Sequence, residues 1–303
     1  MNLQQMRYAV ALADTQSFTR AAAAQYIVQS ALSQQLRKLE DELGVRLFER
    51  TTRKVTPTPA GETLLPLMRQ VLAGIDQIKS GAQAISGTIA GRLTVGMMEV
   101  PSESLDVAAL MATFHTRYPE VSVTLRSGGS DLLIGAVRDR RLDVAIVGSN
   151  RPPSAGRLTF TELFVEPLVA VLPAGHPLAA ADAVRLDQLA LLPFIDFPIG
   201  YGLRHETDRG FADVHRRVAF EVTRVDEVIH FVRRDLGVAL LPESVAVSRV
   251  GADPTLVLRP VAGADLHRQV NLVAPGDAQR SPASQAFIGC VFDHIGTVGA
   301  GPR

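Results

Sequence analysis

Gln29, Ser30, Ser33, Gln34 and Arg37 follow one another at steps of one, three, one and three. On a helix they share one face. Their chemistry is directional hydrogen bonding. A Gln amide matches the adenine edge, an Arg fork matches guanine or a phosphate, and a Ser hydroxyl serves either. An ordinary solvated helix face has the same composition, so these side chains alone leave the two readings level. Arg50, Arg53 and Lys54 add a short basic cluster suited to phosphates. Farther on, Gly128-Gly129-Ser130 and Gly200-Tyr201-Gly202-Leu203-Arg204 each run into a predicted helix. Backbone N–H groups at such starts hold anions. A turn with a capped helix is the simpler reading of both.

Other chemistries find little support. His115, His176, His205, His215, His230, His267 and His294 show no metal-ligand spacing, and His176 reads as a turn residue. The 200–205 stretch lacks the third glycine of a dinucleotide fingerprint, and no Gly-x-Ser-x-Gly elbow occurs. Cys290 is the single cysteine, which excludes an internal disulfide framework and a multi-cysteine zinc site. It falls beside Phe287 and Val291 and reads as core. A catalytic activity, a metal and a cofactor are not expected.

The elements that must position these residues begin at the N-terminus. Residues 3–13 read as a helix behind Asn2, with Leu3, Met6, Val10 and Ala13 on one side. Ser17-Phe18-Thr19 interrupts it, and Arg20 with the alanine run behind it starts a second helix. Tyr26-Ile27-Val28 is a break. Gln29 to Leu43 is a third helix, stopped by Gly44, with Leu32, Leu36, Leu39 and Leu43 as its buried stripe. A short helix, a tight break and a longer helix with a polar face is the helix-turn-helix layout. Segments carrying Phe48 and Val55 flank the basic turn, as in a hairpin wing.

In this order the residues resemble the LysR-type transcriptional regulators. The carriers are Ser17-Phe18-Thr19-Arg20-Ala21-Ala22, Gln29-Ser30-Ala31-Leu32-Ser33, Leu39-Glu40, Leu43 through Arg50, and Thr58-Pro59-Ala60-Gly61. The resemblance implies a winged helix-turn-helix on double-stranded DNA in a homodimer or homotetramer. Thr19, Gln29, Ser30, Ser33, Gln34, Arg37, Arg50, Arg53 and Lys54 are then the expected DNA contacts. Two such heads imply a promoter site that is an interrupted palindrome. Val28 departs from the pattern, because Ser or Thr is usual there. Valine has no capping oxygen, a loss of roughly 1 kcal/mol, and Ser30 is the alternative cap for a helix starting two residues later.

Thr58 and Pro59 open a long helix. Leu64, Met68, Val71, Ile75, Ile78 and Ile85 fall on it as a heptad seam, widened by Leu65 and Leu72. The first five are the expected dimerisation residues, with packing against the chain's own domains as the alternative. Pro66 lies near the helix start. Gly87 to Gly91 ends the helix as a hinge.

From Arg92 short apolar strands alternate with helices. Strands are expected near 93–96, 121–125, 143–147, 168–172, 194–197, 218–222 and 238–241, and helices near 105–118, 130–138, 203–211 and 226–234. The chain returns through 269–273 and closes with a helix over 282–295. This is an α/β body of two lobes with a cleft between them. Tyr118-Pro119, Arg141 through Ala145, Pro167 through Val171, Gly175-His176-Pro177-Leu178 and Leu236 through Pro242 carry the resemblance into this half. It implies the effector domain of the family, with the periplasmic-binding-protein fold.

The expected organisation is 1–58 winged helix-turn-helix, 59–90 linker helix and hinge, and 91–303 effector-binding domain. Lobe I takes 91–163 and 268–303, and lobe II takes 164–267. Ligands of α/β sheets sit beyond the carboxyl ends of strands. The expected effector residues are therefore Glu99, Val100, Ser102, Gly129, Ser130, Gly148, Phe197, Gly200, Tyr201, Gly202 and Thr223. An organic acid is one candidate for the small-molecule effector. Glu99 argues instead for a cationic or hydroxyl group, or it points away from the ligand.

Composition fits this plan. The 303 residues are 47% hydrophobic and carry 31 basic and 31 acidic side chains. Residues 1–90 hold ten Lys/Arg against seven Asp/Glu, a mildly basic head on a mildly acidic body. Met1-Asn2-Leu3-Gln4-Gln5 lacks a signal-peptide layout. A cytoplasmic regulator that avoids membranes and meets RNA polymerase at promoters is the expectation.

Overall fold

The computed structural model describes residues 1–50, 55–85, 87–100, 102, 104–149, 158–251 and 253–298. They form two compact units, residues 1–87 and, apart from 139–141, residues 88–303.

The first unit begins with α1 (Leu3–Thr15), capped by Asn2 and Gln5 in a reciprocal box. Then comes α2 (Phe18–Ala24), whose N-cap is Ser17, so it starts two residues before the expected Arg20. Next is α3 (Gln29–Leu43), ending at left-handed Gly44. Leu32, Leu36 and Leu39 are 0–1% exposed and pack with Ala9, Leu12 and Ala21. Each buried leucine contributes roughly 1.5–3 kcal/mol. β1 (Phe48–Arg50) and β2 (Val55–Pro57) pair antiparallel, and α4 (Pro59–Ile85) runs on through Pro66 without a break.

Two of the residues that carry the family resemblance have a structural reason. Thr58 Oγ1 donates to the Arg46 carbonyl at 2.6 Å and accepts from Gly61 N–H at 3.0 Å. A Cβ at Gly61 would lie 2.1 Å from the Leu47 carbonyl oxygen, so only glycine lets α4 start this close to the wing.

The second unit is built on one mixed sheet. Its elements run β3 (Gly91–Met98), α5 (Val107–Arg117), β4 (Val121–Gly128), α6 (Ser130–Arg138), β5 (Val144–Gly148) and β6 (Leu158–Pro173). There follow β7 (Val184–Arg185), α7 (Leu186–Ala190), β8 (Pro193–Asp196), α8 (Gly202–Gly210), β9 (Arg217–Glu221), α9 (Val225–Arg233) and β10 (Ala239–Pro242). The chain ends with α10 (Glu243–Val250), β11 (Leu256–Ala262), β12 (His267–Pro275) and α11 (Pro282–Val298). The strand order is β4-β3-β5-β12-β6-β11-β7, with β10 also on β6. β3 is parallel to β4 and β5, while β12 runs antiparallel to β5 and β6. β8 and β9 pair in parallel beside β10 through a bridge from Phe194 to Val238.

β6 explains the two lobes. Leu163 and Phe164 pack against one core with Leu93, Phe114, Val270 and Phe287, and Leu168 to Leu172 belong to another with Phe194, Val228 and Leu241. β12 likewise carries Val270 and Leu272 in the first of these cores, while Leu266 just before it belongs to the second. Elements α7, α10, β7 and β11 were not expected from sequence, and the expected helix over 105–118 is shorter, starting after an N-cap at Asp106.

Candidate functional site

On α3 the polar face stands opposite the leucine stripe. Gln29, Ser30, Gln34 and Arg37 are exposed, Ser33 is half-buried, and Thr19 is exposed on α2. Thr19 Oγ1 donates to Gln29 Oε1 at 3.0 Å, which sets the orientation of that amide. Glu40, at the far end of α3, accepts from the backbone N–H groups of Leu47 and Phe48 at 2.8 and 3.3 Å and so ties helix to wing. Sequence reasoning gave Glu40 no such role. The α3 N-cap is Val28, with no side-chain cap, and the helix starts at Gln29. The alternative start at Ser30 is corrected: the first turn forms because Val28 already has extended backbone and its carbonyl takes the Leu32 N–H at 3.2 Å. The side chain of Arg50, and Arg53 and Lys54 altogether, lie outside the described residues.

The seam of α4 divides. Met68 is 5% exposed and sits with Leu65 in the head's own core, with Leu64 packed against it, because α4 crosses α1 there. These two expected seam residues are thus largely occupied within the head. Beyond them Val71 and Ile78 stand exposed, Ile85 too, while Ile75 is half-buried.

In the second unit the strand ends converge on a cleft lined by Met98 at the end of β3 with Glu99 and Val100 after it, Gly128 and Gly129 leading into Ser130 of α6, Gly148 of β5, and Tyr201 to Leu203. It is nearly shut. The remaining space is about 10 Å³, on the order of one water molecule. Tyr201 Oη donates to Glu99 Oε2 at 2.8 Å. Burial first, and then this carboxylate, push the Tyr201 phenol up to about 12. Asp131 N–H donates to the Gly200 carbonyl at 3.1 Å, so a carbonyl already occupies the start of α6. Asp131 Oδ2 also lies 2.9 Å from His205 Nε2. Ser130 is buried, and its hydroxyl donates to the Gly148 carbonyl at 3.0 Å. A Cβ on Gly202 would sit 1.3 Å from that same carbonyl oxygen, so the approach needs glycine.

Seven expected effector residues therefore line the cleft, and Gly200 touches it through its carbonyl. Three do not line it. Phe197 is core, stacked on the Tyr201 ring at 6.0 Å. Thr223 is exposed beyond β9. Ser102 is buried and spends its hydroxyl on Glu166 Oε1 at 2.5 Å. The loop ahead of α8 is held by Arg204, which donates to the Phe197 carbonyl at 3.0 Å and to Glu221 at 2.8 Å.

Sequence reasoning missed the floor of the cleft. Arg268 of β12 and Glu166 of β6 are cross-strand partners, both buried, at the point where the strands leave one core and enter the other. Arg268 Nε donates to Glu166 Oε2 at 3.1 Å, and Nη1 to the Val100 carbonyl at 2.9 Å. Ser244 of α10 donates to Glu166 at 2.6 Å. Burial pulls the Arg268 pKa down and Glu166 opposes it. One signal was available: a lone Glu inside the apolar run Leu163-Phe164-Val165-Glu166-Pro167. Cys290 is buried in α11, where burial pushes its thiol up, away from the thiolate that redox chemistry needs. Among the described residues no helix is long and apolar enough to cross a membrane.

Comparison with known proteins agrees with both units. Residues 3–62 match the family model "Bacterial regulatory helix-turn-helix protein, lysR family", and residues 86–296 match "LysR substrate binding domain". The chain is 31% identical to a probable nitrogen assimilation transcriptional activator of Synechococcus elongatus, over 95% of this chain and 93% of that one. It is also 31% identical to the transcriptional dual regulator GltC of Bacillus subtilis, over 95% of each. A solved structure of full-length OxyR from Pseudomonas aeruginosa superposes with a TM-score of 0.76 at 29% identity, covering 97% of this chain and 94% of that one. The chain belongs to the LysR family: it is a DNA-binding transcriptional regulator with a helix-turn-helix head and an effector-binding domain.

Proposed function

We propose that α3 is the recognition helix, with Gln29, Ser30, Ser33, Gln34 and Arg37 at base edges and phosphates, assisted by Thr19. Arg50, Arg53 and Lys54 of the wing would hold the backbone. The polar face of α3, largely exposed opposite the buried Leu32, Leu36 and Leu39 with half-buried Leu43, carries this reading. Residues 1–58 are the reader, 59–90 the linker, and 91–303 the sensor in two lobes that part near Leu163–Phe164 and Arg268. Val71, Ile75 and Ile78 pair with their copies in a second subunit, in a homodimer or a homotetramer. Two heads then take an interrupted palindrome at a promoter, in the cytoplasm, in reach of RNA polymerase.

The small-molecule effector sits in the cleft against Glu99, Val100, Gly129, Ser130, Gly148, Gly200, Tyr201 and Gly202. Glu99 supports an effector that offers a hydroxyl or a cation. An organic acid at the start of α6 would instead have to displace the Gly200 carbonyl from the Asp131 amide. Pockets for metabolites run to several hundred Å³, so binding must part Tyr201 from Glu99 and change the relation of the lobes. The effector shifts DNA binding only through its different affinity for the two arrangements.

A pair of variants tests the division of labour. Arg37→Ala is expected to weaken DNA binding at least tenfold with the effector response intact. Ser130→Ala is expected to spare DNA binding and blunt the response. Loss of DNA binding in Ser130→Ala with full binding in Arg37→Ala would overturn the assignment.

A further inference from the structure

The turn between α2 and α3 breaks two local rules side by side. At the end of α2, Tyr26 N–H donates to the Ala23 carbonyl at 3.1 Å and Ile27 N–H to the Ala22 carbonyl at 3.0 Å. This pair of bonds is the Schellman ending, whose left-handed position usually belongs to glycine. Here it is Tyr26, with φ of 54°, a strained conformation for a bulky side chain. Two residues on, the N-cap of α3 is Val28, where an oxygen-bearing side chain would bond the first turn.

Neither side chain repays the fold by packing. Tyr26 is 96% exposed and Val28 is 68% exposed. Glycine and serine would serve the local backbone better at these two positions. Departures from local rules that expose large apolar groups mark function. Both residues flank Gln29 at the start of α3, and the N-terminal residues of a recognition helix are the ones that reach base edges.

We propose that Val28 and Tyr26 are part of the DNA-reading surface. The Val28 methyl groups contact a thymine 5-methyl group in the major groove, and the Tyr26 ring lies on the adjoining sugar-phosphate backbone with its hydroxyl on a phosphate oxygen. Valine offers bases no hydrogen bond, and the thymine methyl is the apolar feature of the major-groove edge. Tyrosine is among the side chains that position proteins on phosphates. This rests on α3 being the recognition helix. It adds a sequence preference that the Gln, Ser and Arg side chains do not supply.

The test uses full-length protein and the tightest duplex it selects from a randomised pool. Each thymine of one half-site is replaced in turn by deoxyuridine, which removes only the methyl group. At one position the replacement is expected to weaken the unsubstituted protein about fivefold, while Val28→Ser and Val28→Ala lose less than twofold at that position. Tyr26→Gly is expected to raise the melting temperature and still to weaken binding severalfold on every duplex. If the unsubstituted and Val28→Ser proteins respond alike at every thymine, the Val28 contact is wrong. If Tyr26→Gly binds as tightly as the unsubstituted protein, the Tyr26 contact is wrong. Should Gln34→Ala and Arg37→Ala also leave binding unchanged, the reading of α3 itself falls. If those two weaken binding while the thymine pattern ignores position 28, only the present proposal falls.

Discussion

Glu99 and Tyr201 meet across the cleft through one hydrogen bond, and its chemistry can be followed by titration. The phenol is pushed up to about 12 chiefly by burial and then by the carboxylate. A group whose folded pKa is raised adds stability that is present below its ordinary value near 10 and is lost as pH rises through 12. In Glu99→Ala the Tyr201 pKa is expected to fall yet to stay above 10, followed by absorbance against a Tyr201→Phe reference. An unchanged value would remove Glu99 from contact. Below the cleft, Arg268→Ala would leave Glu166 as an unpaired buried charge, at a cost of roughly 3–5 kcal/mol in urea unfolding. Arg268→Met with Glu166→Leu is expected to recover most of it. Glu99 and Tyr201 were legible in the sequence because they follow predicted strands. Arg268 and Glu166 were not, since their pairing depends on the register of β12 against β6 across about a hundred residues.

The long helices α3 and α4 were legible because their apolar positions repeat over many turns. Shorter elements were hidden. α7 has five residues and β7 two, too few for a period to show. α10 reads Glu-Ser-Val-Ala-Val-Ser-Arg-Val, an alternation that suits a strand, and it becomes helical because Val245, Ala246 and Val250 all find one core. The same contest appears on α4, where a single heptad pattern serves two partners: Met68 goes to the head's core while Val71 and Ile78 remain exposed. Ile78→Glu is expected to place like charges in the paired seam and shift the protein toward monomer in sedimentation at micromolar concentration. Met68→Glu is expected to unfold the head instead. An unchanged assembly in Ile78→Glu would move the subunit contact off α4.

In the second unit as a whole, the lobes close on glycines. Gly202 rests on the Gly148 carbonyl, and the Cβ of Gly202→Ala would meet that oxygen at 1.3 Å. This variant is expected to hold the lobes apart, enlarge the effector domain in small-angle scattering, and change the DNA response to effector without changing the affinity of the head for DNA. Scattering identical to that of the unsubstituted protein would show that the contact does not govern closure. The two-lobed plan was visible in the late return of the chain through β12, whereas the near-closure of the cleft was not, because it depends on a few atoms of Gly200, Tyr201 and Gly202 meeting β3, β5 and α6.

This chain finds particular DNA sites through its head. The most direct measurement is recovery of genomic fragments by the purified full-length protein at two salt concentrations, beside Arg37→Ala. A small set of fragments sharing an interrupted palindrome is expected, with binding that weakens steeply as salt rises and is lost in the variant. Recovery of the same fragments by both proteins, or of none above background with and without a cell's metabolite extract, would contradict it.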